Sequence, residues 1–238
     1  FKFAKRNYNL CLAARSIDKL QDLKQKLEEQ FSVSVDIIQT DLSRMEEVQK
    51  LHDFTKDKDV DVLVNNAGVL YGGLPHEADI QAEMQMIDTN VKAVHYLTRL
   101  FLVDMIKKDR GRILNMSSVS GWTPTPMLGT YGACKSFILS FSESLIYELR
   151  KMKSKVQVSV VTPGFFNTNI AGKKYRLADQ KRSVSSYIEK TVQKFLKGHR
   201  IIIMGQDVFI PILARAWPRI WMHSYVYSVI ESNLKRSA

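Results

Sequence analysis

The chain has 238 residues, 45% of them hydrophobic and 25% charged. That is enough to bury a sizeable core without staples and too apolar for a disordered or collagen-like chain. Two cysteines, Cys11 and Cys134, make neither a disulfide framework nor a metal pattern; they point to a reducing compartment, read here as cytoplasmic. The formal net charge of +11 raises nucleic acid or a membrane surface as partners, but the excess is local. Residues 1–170 hold 22 basic and 20 acidic side chains, and residues 171–238 hold 13 basic and 4 acidic. No apolar run is long enough to span a bilayer. The first apolar stretch is broken by Lys2, Lys5 and Arg6, unlike a signal peptide. The five histidines are scattered, so no metal site is expected.

In chain order, short β-type runs alternate with helical stretches. Residues 8–14 read as a strand. Ser16 then stands at an N-cap position before a helix over 17–31, with Leu20, Leu23 and Leu27 on one face. A second strand covers 33–39. Ser43 and Glu46 form an S-x-x-E capping box ahead of a helix carrying Met45, Val48 and Leu51. A third strand covers 60–65, and one long helix is expected over about 80–107. A fourth strand (112–117), a helix (about 130–152), a fifth strand (156–162), a helix (186–197) and a short strand (200–204) follow. The alternation predicts an α/β fold: a three-layer, Rossmann-like, doubly wound parallel sheet in a single domain. In such sheets ligands bind beyond the carboxyl ends of the strands. Those ends carry Ala14-Arg15, Thr40-Asp41, Asn65-Asn66-Ala67-Gly68, Ser117-Ser118 and Pro163-Gly164.

Within Tyr131-Gly132-Ala133-Cys134-Lys135, Tyr131 and Lys135 stand four apart and share a helix face. A tyrosine with a pKa near 10 is a poor base at neutral pH, and a neighbouring ammonium favours its phenolate. Ser118 lies thirteen residues earlier, at a strand end. Together with Asn65-Asn66-Ala67-Gly68, Asn90 inside the long helix and Pro163-Gly164-Phe165-Phe166-Asn167-Thr168, these motifs resemble the short-chain dehydrogenase/reductase family. The resemblance runs over nearly the whole chain.

The resemblance implies a hydride-transferring oxidoreductase. Tyr131 would be the acid/base, Lys135 would lower its pKa and bind the nicotinamide ribose, and Ser118 would polarise the substrate oxygen. Asn90 would anchor a proton-relay water; alternatively, it is an amide bonded to the neighbouring layer. On the cofactor side, Asp41 would accept from the adenine amino group with Leu42 packed beside it. Asn66, Ala67 and Gly68 would pass the adenosine ribose, Val161, Pro163 and Gly164 would lie at the nicotinamide face, and Thr168 would bind the carboxamide. The position that selects NAD by carrying a carboxylate is Ala14 here, followed by Arg15. A guanidinium can pair with a 2′-phosphate, so NADP(H) is the expected cofactor; the other reading of Arg15 is a solvated loop residue. The partner is a small carbonyl or alcohol substrate, with Trp122, Met127, Leu128, Phe165 and Phe166 suggesting an apolar one. A homo-oligomer is expected by analogy.

The family's first strand and its glycine-rich turn have no counterpart in the sequence. The chain is therefore expected to be a fragment, because a missing central strand would cost on the order of 10 kcal/mol in a domain stable by about 5–15 kcal/mol. Residues 1–206 form the dinucleotide-binding and catalytic domain, and 207–238 its basic, aromatic C-terminal extension. Trp217, Arg219, Trp221, Tyr225 and Tyr227 suit a membrane–water interface, although Pro211 and Pro218 interrupt any single helix. Two readings stand for 207–230: a peripheral membrane contact, or a solvated cap over the substrate side. Nucleic acid is not expected, since no recognition motif accompanies the charge. The rival to an enzyme is a non-catalytic scaffold of the same fold that binds no cofactor.

Overall fold

The computed structural model describes residues 1–164, 166, 183–216 and 218–235. Thr168, Phe165 and the basic run 171–182 lie outside the described residues. Six strands run in parallel: β1 (Leu10–Ala14), β2 (Val35–Gln39), β3 (Val62–Asn65), β4 (Arg112–Met116), β5 (Gln157–Val161) and β6 (Ile201–Ile202). They form a two-stranded sheet, β1-β2, and a four-stranded sheet, β3-β4-β5-β6. The doubly wound parallel α/β fold expected from sequence is present, and among the described residues β1 and β3 each pair on one side only. Burial follows from this. All five residues of β5, flanked on both sides, are buried, whereas Cys11 of β1 and Val64 of β3 are exposed.

Eight helices accompany the strands among the described residues: α1 (Ile17–Gln30), α2 (Met45–Thr55), α3 (Ile80–Ile87), α4 (Ala93–Lys107), α5 (Gly129–Lys151), α6 (Val184–Leu196), α7 (Ile210–Ala216) and α8 (Arg219–Lys235). Leu20 and Leu27 of α1 are buried as the spacing predicts, but the Ser16 side chain makes no capping hydrogen bond. The capping box is also displaced. Ser43 bonds to the Asp41 carboxylate through its amide (3.0 Å) and hydroxyl (2.8 Å), so helix α2 starts at Met45. Glu47, not Glu46, reaches back to accept from the Asp41 amide at 2.6 Å. A short carboxylate two residues upstream offers a tighter local partner than the helix end does.

The expected helix over 80–107 is three pieces. Asp79 caps α3 by accepting from the amides of Gln81 and Ala82, a π-type turn covers Asp88–Lys92, and α4 follows. Such a turn inserts a residue into the helical ladder and re-aims a side chain, often at functional sites; here it buries Asn90.

The sheet is covered on both faces. On one, Val48, Leu51, Leu97, Phe101, Leu145 and Leu149 from α2, α4 and α5 pack on Ile113 and Val158. On the other, Phe195 of α6 packs with Leu114, Val161 and Ile202. Between β3, β4, α4 and α5 lies a buried polar network. Asn65 Nδ2 donates to Asn115 Oδ1 (2.8 Å) and Thr98 Oγ1 (3.0 Å). Asn115 Nδ2 donates to Ser142 Oγ (3.0 Å), which donates to the Ile138 carbonyl (2.7 Å). Every member sits at 6% exposure or less, where an unpartnered polar group is expensive. Asn115→Leu should destabilise the fold by about 2–4 kcal/mol, and Asn65→Leu added to it should cost less than the sum of the two single changes. Urea unfolding of the three variants checks this.

Candidate active site

Ser118 lies two residues past β4 and opens a short turn, Val119–Gly121. Its hydroxyl accepts from the Ser120 amide at 3.2 Å and lies 3.5 Å from the Pro163 carbonyl. The first two turns of α5 present Tyr131 and Lys135 to the same place. Tyr131 lies close enough to Ser118 for the serine hydroxyl to favour its phenolate. Lys135 Nζ stands 5.6 Å from the Tyr131 ring centroid and donates to the Met116 carbonyl at 2.9 Å. Ser117 Oγ donates to the Lys135 carbonyl at 2.7 Å. Gly121 allows this approach, since a Cβ there would stand 2.8 Å from both the Lys135 carbonyl oxygen and Ser117 Oγ. Ser118, Tyr131 and Lys135 are all buried.

Asn90 joins from the π-type turn. Its amide is engaged at both ends by Val69, donating to the carbonyl at 2.8 Å and accepting from the amide at 2.9 Å. It thereby clamps the segment after β3, where Gly68 lies against Asn90 and Lys135: a Cβ on Gly68 would stand 3.2 Å from Asn90 Oδ1 and 3.7 Å from Lys135 Nζ. The structure therefore brings all four sequence-predicted catalytic side chains to one place.

Burial sets the protonation states of the chain alone. Burial pushes the Tyr131 phenol up to about 12, and the Ser118 hydroxyl only partly opposes that. Burial likewise lowers the Lys135 ammonium to about 8. Desolvation disfavours both charged forms. In this geometry Tyr131 is a proton donor first.

Most of the other predicted residues stand at the carboxyl ends of β1, β2, β3 and β5. Arg15 is exposed after β1, near enough to contribute to lowering the Asp41 carboxyl pKa, an effect dominated by the Ser43 amide. Leu42 packs on the edge of the main core. Asn66 and Ala67 are exposed, while Gly68, Pro163 and Gly164 are half-buried. Val161 is fully enclosed against Phe195 and Ile202. On the presumed substrate side, Leu128 is buried beside Tyr131, Met127 adopts a left-handed backbone (φ 65°), and Phe166 packs edge-on against Tyr187.

A nicotinamide cofactor fits this arrangement in part. The Thr40 and Thr162 hydroxyls, at the ends of β2 and β5, are buried without a hydrogen-bond partner, and Gly68 leaves open the space that a side chain would fill beside Lys135. The glycine-rich pyrophosphate turn has no counterpart among these residues. Sequence reasoning missed Asp207. Its carboxylate accepts from the Gly164 amide at 3.1 Å and so ties the post-β5 loop to the C-terminal segment. The signal was available: Asp207 is the one acidic residue between 190 and 230. Among the described residues no group of three or more His, Cys, Asp or Glu could hold a metal, and no helix is long and apolar enough to cross a membrane.

Comparison with known proteins agrees with this geometry. The family model described as short chain dehydrogenase matches residues 1–178, and the chain belongs to that family of oxidoreductases. It is 29% identical over 233 residues to hydroxysteroid dehydrogenase-like protein 1 of Gallus gallus, covering 97% of this chain and 66% of that protein. It is 33% identical over 184 residues to 11-beta-hydroxysteroid dehydrogenase A of Sesamum indicum, covering 76% of this chain and 52% of that protein. The chain thus spans between about half and two-thirds of the length of these two relatives. Among solved structures, a short-chain dehydrogenase from Sphingobium yanoikuyae in complex with NADPH superposes with a TM-score of 0.77 at 26% identity, covering 85% of this chain and 80% of that one.

The two shifted groups make stability depend on pH. Lys135 is lowered from 10.5 to about 8, so between these values the unfolded chain binds more protons and stability rises with pH. Tyr131 is raised from 10.0 to about 12, so above pH 10 the native state binds more protons and stability falls. Urea unfolding from pH 7.5 to 10 should show wild type gaining stability relative to Lys135→Met by on the order of 2 kcal/mol.

Proposed function

We propose that this chain carries the catalytic apparatus of an NADP(H)-dependent reductase acting on the carbonyl of an apolar molecule, or in reverse on a secondary alcohol. The Ser118–Tyr131–Lys135 cluster carries this reading. Supporting the cofactor choice are Arg15 without a carboxylate at Ala14, and the NADPH held by the similar Sphingobium yanoikuyae enzyme.

When bound, the nicotinamide supplies or takes the hydride. Ser118 donates a hydrogen bond to the substrate oxygen and holds it beside Tyr131. Tyr131, kept protonated by burial, gives its proton to that oxygen as negative charge develops there. Lys135, 5.6 Å from the ring, stabilises the phenolate that results. Asn90 keeps Gly68 and Val69 at a fixed distance from Lys135. Asp41 and Leu42 serve the adenine, Asn66, Ala67 and Gly68 the ribose, and Pro163, Gly164 and Thr168 the nicotinamide. Leu70, Leu128 and Met86, packed around Tyr131, favour an apolar substrate.

A second reading has one specific observation behind it: without the glycine-rich turn, and with the sheet divided between β1 and β3, the chain is a scaffold that binds no cofactor. Calorimetry with NADPH tests the scaffold, since micromolar binding excludes it. NADPH consumption with a panel of ketones should fall by about 100-fold or more in Tyr131→Phe, with the circular dichroism spectrum unchanged; full activity in that variant would refute the mechanism. Arg15→Ala should weaken NADPH about tenfold, the loss of one exposed charge-assisted contact, and leave NADH binding unchanged. Equal effects on both cofactors would remove Arg15 from the 2′-phosphate.

A further inference from the structure

Lys190 and Lys194 stand four apart on α6, and Lys197 follows at its C-terminal cap. With His199, Met204, Gly205 and Val208 they line a groove of about 500 Å³. None of the three lysines makes an ion pair among the described residues. The single carboxylate on this helix, Glu189, is engaged by Lys2 and Arg6, which holds its pKa down at about 2.

Apolar surface begins at the rim of this groove. Val208 lines it and is 47% exposed, and the next residues present Phe209 (64%), Ile212 (60%) and Leu213 (42%) to solvent. Pro211 in the first turn of α7 is tolerated there, so the short helix holds these side chains in one compact segment. Monomeric soluble domains rarely leave such side chains clustered in the open. Beyond α7, α8 exposes Trp221 and Tyr225 while packing Ile230 and Val226 into the cluster around Tyr131. Cations beside clustered apolar and aromatic side chains match the two layers of an anionic lipid surface: phosphate at the level of the lysines, acyl chains at the level of Phe209. A second copy of the chain would bring a second set of lysines and is disfavoured by like charge.

We infer that the lysine face of α6 and the exposed face of α7 together form a docking surface for a membrane rich in anionic lipid, independent of whether the site beside Tyr131 is catalytic. Because α8 bridges that surface and the Tyr131 cluster, docking brings the candidate active site to the lipid, where an apolar substrate would be concentrated.

The test is co-sedimentation of the whole chain with vesicles of phosphatidylcholine containing 30% phosphatidylserine, against vesicles of phosphatidylcholine alone, at about 0.1 and 0.5 M salt, across which screening shortens several-fold. Binding to the anionic vesicles should weaken at least tenfold in Lys190→Gln/Lys194→Gln/Lys197→Gln, at least tenfold in Phe209→Ser/Leu213→Ser, and at high salt. All of these positions are exposed or half-buried, and circular dichroism should report an unchanged fold. Failure of wild type to sediment with anionic vesicles overturns the proposal, as does binding that neither variant reduces. If Phe209→Ser/Leu213→Ser instead converts a dimer to a monomer in sedimentation velocity without changing vesicle binding, the face is a contact between copies and the proposal is wrong. NADPH calorimetry on the same variants keeps this result separate from the catalytic reading.

Discussion

The site depends on a set of buried amides and hydroxyls that bind one another. Asn65, Thr98, Asn115 and Ser142 tie β3, α4, β4 and α5 together below the place where Ser118, Tyr131 and Lys135 meet. A purely apolar contact at that depth would tolerate sliding. Hydrogen bonds between groups shut off from water do not, because any slip leaves a donor or acceptor stranded at a cost of about 1–3 kcal/mol. The network therefore sets the register of α5 on the sheet, and that register decides whether the Tyr131 hydroxyl reaches Ser118. Ser117, bonded to the Lys135 carbonyl, repeats the constraint one layer higher.

The chemistry above this frame comes from desolvation more than from charge pairing. Lys135 is buried with only a backbone carbonyl to receive its proton, and Tyr131 is buried against a neutral serine. Each is held away from its charged form; for Lys135 this costs stability in the chain alone and is relieved when an anion appears beside it. Stability given up at a catalytic cluster and recovered in the transition state is a common arrangement. Thr40 and Thr162 are similar, their hydroxyls enclosed at two strand ends with no hydrogen-bond partner among the described residues.

The C-terminal segment connects to this site at two points. Asp207 holds the Gly164 amide, and Val226 and Ile230 pack against the Tyr131 cluster. The net charge of +11 is thus not spread over the catalytic core. It is concentrated in residues 171–238, where the lysines of α6 border an exposed apolar helix. This charged and apolar surface is arranged next to the elements that carry the candidate site.

The sequence by itself determined the alternation of strands and helices, the carboxyl-end position of the site and the identity of Ser118, Tyr131, Lys135 and Asn90. Apolar periodicity and i, i+4 spacing are local properties and survive without a fold. Only the tertiary structure decided that the 80–107 helix carries a π-type turn, because a bulge that buries one amide is selected by what Asn90 meets across space at Val69. It also decided that Asp41 and Glu47 replace the expected capping box, since competing partners within hydrogen-bond reach are ranked by geometry that spacing does not contain. It decided how far Tyr131 is desolvated, because desolvation depends on every residue packed around the ring, while sequence shows only the lysine four positions away. Asp207 was visible as a lone acid in a basic stretch, but its partner, Gly164, lies more than forty residues away and is brought to it only by the fold.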